Sequence, residues 1–504
     1  MREFLKRHVT MKSSGPNHKS AMSTGELSQS TLNPPEPRQQ HAKLLTFLVA
    51  GAFFMENLDG TVIATALPQM AVSFHSNPVD LNTGMSAYLL MLAVFIPVSG
   101  WLADRFGART IFSTAIGVFT LTSILCAFSQ NLWQFTAARV LQGIGGAMMV
   151  PVGRLVVLRV TEKKDLMQAI SYIIWPGLAA PVLGPPLGGF ITTYSSWRWI
   201  FYLNVPLGIV ALALALLWIR NDREQEAHPF DWTGFALAGT SCITLMYGLE
   251  LLGRPDASWL AVGAYCGYAV LAGAIAIRHF RRAEHPLINL DCLKIHTFAI
   301  SVHGGTLFRL AIMATPFLLP LMFQVGFGMN ALQSGVLVLY MFAGNFAMKS
   351  VTTRVLRRFG FRKVLLVNGF ISAALIAACG FLAPTTPRLL IMTILFLHGL
   401  TRSMHFTSLN TIAFVDIPKP VMSSATSFYS VVQQMGIGMG VAMGAVILRA
   451  VAFLRGERGA VPSLLDFQIT MWVLGVLSLA ALFDCIKLDP RAGAEVSGHE
   501  VGDT

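Results

Sequence analysis

Apolar residues come in long blocks along this chain, and polar residues gather in the short gaps between them. Fourteen blocks are present, over residues 43–66, 83–103, 110–129, 134–157, 166–191, 198–219, 232–253, 259–279, 298–324, 333–353, 363–383, 388–415, 424–448 and 467–486. Each is close to the ~20 residues that cross a bilayer as a helix. A helix satisfies its own backbone groups in lipid, so blocks of this length predict membrane spans. The ninth and twelfth are the least uniform, because Arg309 and Arg402 interrupt them. The pattern predicts an all-α polytopic membrane protein with fourteen transmembrane helices.

Composition agrees. Of 504 residues, 54% are hydrophobic and 12% charged, and the mean hydropathy is +0.60. A soluble chain carries about 25% charged residues. The net charge of +12 raises nucleic acid or an anionic surface as a partner. The positions of the charges decide otherwise. With the N-terminus inside and residues at the very ends of blocks counted with the adjoining gap, 26 Lys and Arg fall in inner segments and 6 in outer ones, while 5 lie within spans. That bias predicts cytoplasmic termini at both ends. No basic, water-facing domain is present, so nucleic-acid binding is excluded. Residues 1–42 are polar, end near "TLNPPEPRQQ" and read as a disordered cytoplasmic tail with no cleavable leader. A second tail is expected over 487–504. The six cysteines show no CxxC spacing, which speaks against a metal site or a disulfide framework.

The chain repeats itself. Arg105-Phe106-Gly107 matches Arg358-Phe359-Gly360 at an offset of 253, and "ALPQM" (66–70) matches "LLPLM" (318–322) at 252. "LQGI" (141–144) matches "LHGL" (397–400), and Gly184-xxx-Gly188 matches Gly440-xxx-Gly444, both at 256. Four matches in one order at a nearly constant offset mark a duplication. Spans 1–6 pair with spans 9–14, leaving 7 and 8 as an inserted hairpin. The expected units are a six-helix bundle over 43–220, a two-helix insert over 221–290 and a second six-helix bundle over 291–486. Two parallel six-helix repeats are a transporter architecture with a substrate site between the halves.

Several spans carry residues that a lipid-facing helix avoids. "FFMENLDGTVIATALPQM" (53–70) places Glu56 and Asp59 three residues apart in span 1. At helical rise they lie roughly 15 Å and roughly 10 Å below its outer end, and the i, i+3 spacing is expected to put them on one face. An ionised carboxylate at a helix centre costs at least ~2.5–3.5 kcal/mol on insertion scales, so the neutral acid is within reach there. A carboxylate that switches charge between two waters carries a proton. A fixed hydrogen-bond anchor is the plainer reading. Arg139 enters span 4 about 8 Å deep, near the level of Asp59, either as a switching partner or as a fixed ion pair. "GWLADRFGART" (100–110) is a tight turn in which Gly100 is expected to let helices approach and Gly107 to permit a positive φ. Asp104 is placed to accept backbone N–H groups at a helix start, and Arg105 and Arg109 to pair with acids across the inner seam. "GLAAPVLGPPLGGFI" (177–191) combines close-packing Gly184 and Gly188 with helix-bending prolines.

These motifs together resemble the major facilitator superfamily, in its fourteen-helix drug:proton antiporter branch of EmrB/QacA type. The resemblance spans about residues 43 to 486. "GWLADRFGART" is similar to the loop motif between spans 2 and 3, "RVLQGIGGAMM" (139–149) to the span 4 motif, and 177–191 to the antiporter motif of span 5. "LDGTVIATALP" (58–68) and "WRWIFYLNVPLG" (197–208) resemble signatures of the branch. The second half looks closer to MdtD/HsrA-like members. The resemblance implies proton coupling through Asp59 and Arg139, while Glu56, outside the branch motif, is a coupling or substrate candidate from its place in span 1. It implies a cytoplasmic gating latch of Gly100, Asp104, Arg105, Gly107 and Arg109. The antiporter motif of Gly177, Pro181, Gly184, Pro185, Gly188 and Gly189 implies a hinge that seals one half against the other.

In the second half, Arg309, Lys349, Arg402 and His398, with His405, are expected as cations of the central cavity. With Glu56 and Asp59 opposite, that gives one acidic and one basic wall. There is no Walker A, GxSxG or HExxH pattern, so neither ATP-driven transport nor enzymatic catalysis is expected. The expected function is proton-coupled export of small amphiphilic molecules across a bacterial inner membrane. No cofactor is expected beyond protons as coupling ion, and the oligomeric state stays open. A periplasmic adaptor protein is a candidate partner. The alternatives are a dedicated exporter or importer of one metabolite, such as an organic acid or siderophore, and, remotely, a non-transporting receptor.

Overall fold

A computed structural model describes residues 37–161, 166–220, 229–252, 258–284, 286–418, 421–456 and 461–494. The expected tail lies outside the described residues up to residue 36. The long helices are α1 (Pro37–Val62), α2 (Asn82–Phe106), α3 (Ala108–Phe128), α4 (Leu132–Val160), α5 (Leu166–Tyr194), α6 (Asn204–Trp218) and α7 (Trp232–Leu252). They continue as α8 (Trp259–Phe280), α9 (His296–Ile312), α10 (Ala331–Met348), α11 (Phe361–Cys379), α12 (Arg388–Ile412), α13 (Met422–Leu454) and α14 (Leu464–Ala480). Among the described residues, thirteen helical segments are long and apolar enough to cross a membrane. The other segment the apolar blocks mark is α5, with 29 residues.

Helix ends follow local chemistry. Asn131 caps α4 by accepting from the Gln134 N–H at 2.9 Å, and Asn330 caps α10 by accepting from Gln333 at 2.8 Å. Ser463 and Asp466 form a capping box at the start of α14. Both first spans of the repeat break near a proline. A 3₁₀ turn (Ile63–Thr65) precedes the helix Leu67–Phe74 after α1. After α9 the helix restarts at Thr315–Leu321 and widens into a π turn over Met322–Gly326.

The duplication is visible in backbone and packing. Gly107 (φ 90°) joins α2 to α3, and Gly360 (φ 71°) joins the helix Thr352–Phe359 to α11. In both, the glycine N–H bonds the carbonyl four residues back at 2.9 Å. Only glycine takes such a φ without strain. Gly143 packs against the Tyr88 carbonyl on α2, and Gly399 against the Met341 carbonyl on α10. α1 packs on α5 as α9 packs on α13. The halves meet along two related seams, α5 with α10 and α2 with α13.

The inserted α7 and α8 pack on each other, and α7 lies against α2 and α13. Thr83 Oγ1 of α2 donates to Glu250 Oε1 of α7 at 2.5 Å. Near the Gly107 turn, Trp101 meets Phe230 at a tilt and Trp232 edge to face, with ring centroids 4.9 and 6.2 Å apart. The expected tail over 487–504 is described as far as residue 494. Residues 487–494 fold back in turns, and Gly493 lies against Phe361 and Ile412.

The end of the bundle where α1 stops is closed by contacts between the halves. The Leu332 N–H donates to Thr193 Oγ1 at 3.0 Å, and Gln324 Nε2 donates to the Thr65 carbonyl at 3.1 Å. Arg449 of α13 pairs with Asp80 ahead of α2.

Candidate functional site

Asp59 and Arg139 form an ion pair in the interior of the first half. Arg139 Nη1 donates to Asp59 Oδ2 at 2.6 Å, and both side chains are 1% exposed. The remaining lone pairs are also used. Asn204 Nδ2 of α6 donates to Asp59 Oδ1 at 2.8 Å, and Gln142 Nε2 of α4 reaches the same oxygen at 3.3 Å. Gln142 Nε2 also donates to Ser123 Oγ of α3 at 2.9 Å, while its Oε1 accepts from Arg139 at 2.7 Å. The guanidinium lies over the Tyr88 ring of α2, 4.1 Å from its centroid. Three helices, α1, α4 and α6, therefore meet at one carboxylate, with Ser123 of α3 and Tyr88 of α2 contacting its partners. A buried ion pair is costly unless its surplus donors and acceptors are met; here both carboxylate oxygens are, while Arg139 Nε has no hydrogen-bond partner among the described residues.

A cavity of about 510 Å³ lies between the two halves, next to this network. Its first-half wall carries Glu56, Asn57, Thr61, Tyr88, Arg154, Pro181 and Pro185; its second-half wall carries Phe342, Arg402, Phe406, Gln433 and Gln434. On α1 and the 3₁₀ turn after it, the lining stripe is Phe53, Glu56, Asn57, Gly60, Thr61 and Ala64. Asp59 falls outside that stripe. At ~100° per residue, Glu56 sits on its edge and Asp59 a further ~60° away. The expected acidic wall of two carboxylates is thereby corrected to one. Glu56 faces the cavity, and Asp59 faces the interior of the first half.

The basic wall is corrected in the same sense. Of the cations placed there by sequence, Arg402 lines the cavity. Arg309 is turned into the α9–α13 packing, where it donates to the Tyr429 hydroxyl at 2.7 Å. Lys349, at the end of α10, donates to Thr407 Oγ1 at 2.7 Å. His398 Nε2 meets Thr315 Oγ1 at 3.2 Å, one turn from Arg402 and inside the second half. His405 stacks on Phe308 with centroids 3.7 Å apart. These contacts lie within one bundle, and none of the four residues lines the cavity. Arg154, unassigned by sequence, lines it instead. Its charge acts on Glu56, and its guanidinium lies 5.7 Å from the Phe53 centroid.

The glycine motif of α5 touches both halves. A Cβ on Gly177 would overlap the Phe53 ring, one on Gly184 would overlap Thr61, and one on Gly188 would lie 2.5 Å from the Val62 carbonyl oxygen. Gly189 faces the other way, onto the backbone of Ala331 and Leu332 in α10. Gly335 of α10 returns the contact on the Pro185 carbonyl. At the turn after α2, Asp104 and Arg109 are half-buried and Arg105 is exposed. No ion pair to Arg105 or Arg109 occurs among the described residues. Gly100 corrects another expectation: a Cβ there would meet nothing within 4 Å, so it allows no close helix approach.

Sequence reading found the pair and missed its surroundings. Gln142 lies three residues after Arg139, and Asn204 lies in the "WRWIFYLNVPLG" signature. Both carried a signal as amides within apolar helices.

Known proteins give an independent view. The sequence profile of the Major Facilitator Superfamily matches residues 49–441. A protein of Pectobacterium atrosepticum bearing the name multidrug resistance protein MdtD is 35% identical over 448 residues, 88% of this chain and 95% of that one. One of the same name from Citrobacter koseri is 36% identical over 453 residues, covering 90% and 96%. An auto-inhibited POT family peptide transporter shares the fold at a TM-score of 0.65 with 14% identity, over 92% of this chain and 98% of that one. The inward-open xylose transporter XylE of E. coli does so at 0.59 with 12% identity, over 88% and 95%.

Proposed function

The chain belongs to the major facilitator superfamily, and from that premise we propose that it is a proton-coupled exporter of small amphiphilic molecules, working by alternating access in a bacterial inner membrane. The MdtD relatives, similar over most of their length, support the multidrug class. One observation carries the coupling part of this reading: a carboxylate and a guanidinium held together in the interior beside the central cavity.

Asp59 is the proposed proton carrier. Protonation would remove its charge and loosen its hold on Arg139. Arg139 keeps two alternative contacts, Gln142 Oε1 and the Tyr88 face, so the guanidinium is not stranded when the pair opens. Tyr88 belongs to the cavity wall, as does Thr61, two residues from Asp59 on α1. Movement of either wall therefore reaches the pair. Glu56 is the acid that meets substrate directly.

The halves are tied at the end where α1 stops. With both termini cytoplasmic, this is the outer end, and the structure corresponds to the loading state. The stripe from Gly177 to Gly189 serves as the hinge surface on which the outer seam opens. The turn Gly100–Arg109 serves as the inner latch in the opposite state. The units then move as 43–220 and 291–486, with the insert 221–290 riding on α2 and α13.

The deciding experiment is substrate-panel efflux in inverted vesicles with an imposed pH gradient. Uphill movement that collapses with the gradient is the expected result, and movement indifferent to it removes proton coupling. Reporters fused after residues 225 and 492 are both expected to read cytoplasmic. An external signal at either overturns the orientation.

A further inference from the structure

Two ionisable side chains on opposite walls of the central cavity each keep one atom without a hydrogen-bond partner. Glu56 Oε2, on α1, is closed off from solvent and has no hydrogen-bond partner. Arg402 Nη1, on α12, is in the same condition. The rest of the Arg402 guanidinium is weakly served. Its Nη2 reaches the Met313 thioether at 3.4 Å, and its centre lies 5.5 Å from the Phe342 centroid. A buried charged group without a partner is among the costliest features of a protein interior.

The two atoms are opposite in sense. Glu56 offers an acceptor and a negative charge; Arg402 offers a donor and a positive charge. They make no ion pair with each other among the described residues. Arg154 acts on Glu56 through its charge but makes no hydrogen bond to it among the described residues. Other surfaces of the cavity are largely apolar, with Met85, Leu89, Phe317, Phe342, Phe406 and Ile437 in the lining. Its size fits a drug-sized molecule.

We infer that this cavity is a two-pole site for zwitterionic amphiphiles, in which Glu56 holds a cationic amine and Arg402 holds a carboxylate of the same molecule. A simple cation leaves Arg402 unpaired and is repelled by it. A simple anion leaves the Glu56 carboxylate unpaired. A zwitterion with an aromatic body satisfies both poles and fills the apolar space between them. The poles sit on different halves of the protein, so such a ligand also links the halves. The inference rests on the export reading for its biological use, but binding tests it separately.

The test uses purified full-length protein in nanodiscs and a fluorescent piperazinyl coumarin carboxylic acid in three forms: the free zwitterion, its methyl ester (a cation) and its N-acetyl derivative (an anion). The zwitterion is expected to bind wild type at least about tenfold more tightly than either blocked form, the scale of one charge-assisted hydrogen bond. Glu56→Gln is expected to bring its affinity down to that of the N-acetyl form, and Arg402→Gln to that of the ester. Equal or tighter binding of the ester overturns the proposal in favour of a cation site. Equal or tighter binding of the N-acetyl form overturns it in favour of an anion site. The wild-type comparison decides the matter even if a variant fails to fold. Gradient-driven transport without this ranking leaves the export reading standing and removes the two-pole site. The ranking without gradient-driven transport does the reverse.

Discussion

Asp59 Oδ2 and Arg139 Nη1 lie 2.6 Å apart, with the other carboxylate oxygen taken by Asn204 and Gln142. Asp59→Asn preserves the shape and most of these bonds and deletes the titratable proton. Uphill transport is expected to vanish in that variant while downhill exchange between equal pH compartments persists. Substrate-induced proton release from purified protein is the direct measurement, and unchanged release would move the coupling role elsewhere. Arg139→Ala strands the buried carboxylate, which costs about 3–5 kcal/mol. Asp59→Asn leaves the buried guanidinium without a counter-ion, so the thermal unfolding temperature should fall in both variants.

Gly189 sits on the backbone of Ala331 and Leu332, across the seam between the halves. A branched side chain there has no flexible neighbour to displace, and overpacking costs about 1–3 kcal/mol. Gly189→Val should prise the outer seam apart, raising thiol labelling of a cysteine placed at Gln324. Gly100→Val is the contrasting variant: its Cβ position is open, so labelling and stability should match wild type.

Asp80 and Arg449 join the two halves at the same closed end. Opening that end separates them. Asp80→Asn and Arg449→Gln should each favour the outward-open state, and the double variant should add little to either single change. A double-mutant cycle on the open–closed equilibrium reads this coupling; strict additivity would show that the pair does not hold the seam.

Asp231, just ahead of α7, tests the anchoring of the insert by acid. Burial pushes its carboxyl up, but the Gly234 N–H, His279 and the Leu287 N–H together hold it below the usual carboxylate range. The sign follows from linkage. A folded-state value below the unfolded one contributes stability above the unfolded value, and that contribution is lost as pH falls through the folded one. Acidification below the ordinary carboxylate range should therefore loosen the α7–α8 insert, and Asp231→Asn should remove that part of the acid sensitivity. Hydrogen exchange of α7 and α8 as a function of pH measures it.

Much of this protein is written in one dimension. The helix α8, read from the apolar block 259–279, runs Trp259–Phe280. Blocks are legible because lipid tolerates few charges, so polar gaps mark span ends to within several residues. The repeat was legible because Gly107 and Gly360 both need a backbone that side chains disfavour, and Gly143 and Gly399 both meet a carbonyl. Such constraints allow one residue type and leave a trace in sequence. The Asp59–Arg139 pairing was legible from matching depths in two spans. Rotation about each helix axis was not. Glu56 and Asp59 are three residues apart, yet one lines the cavity and the other is sealed within the first half. Arg309 and Arg402 are both cations in apolar helices, yet only Arg402 reaches the cavity. Depth in a membrane depends on position along one helix and can be counted. Azimuth depends on which neighbours press on each face, and that is decided only when all the helices pack together.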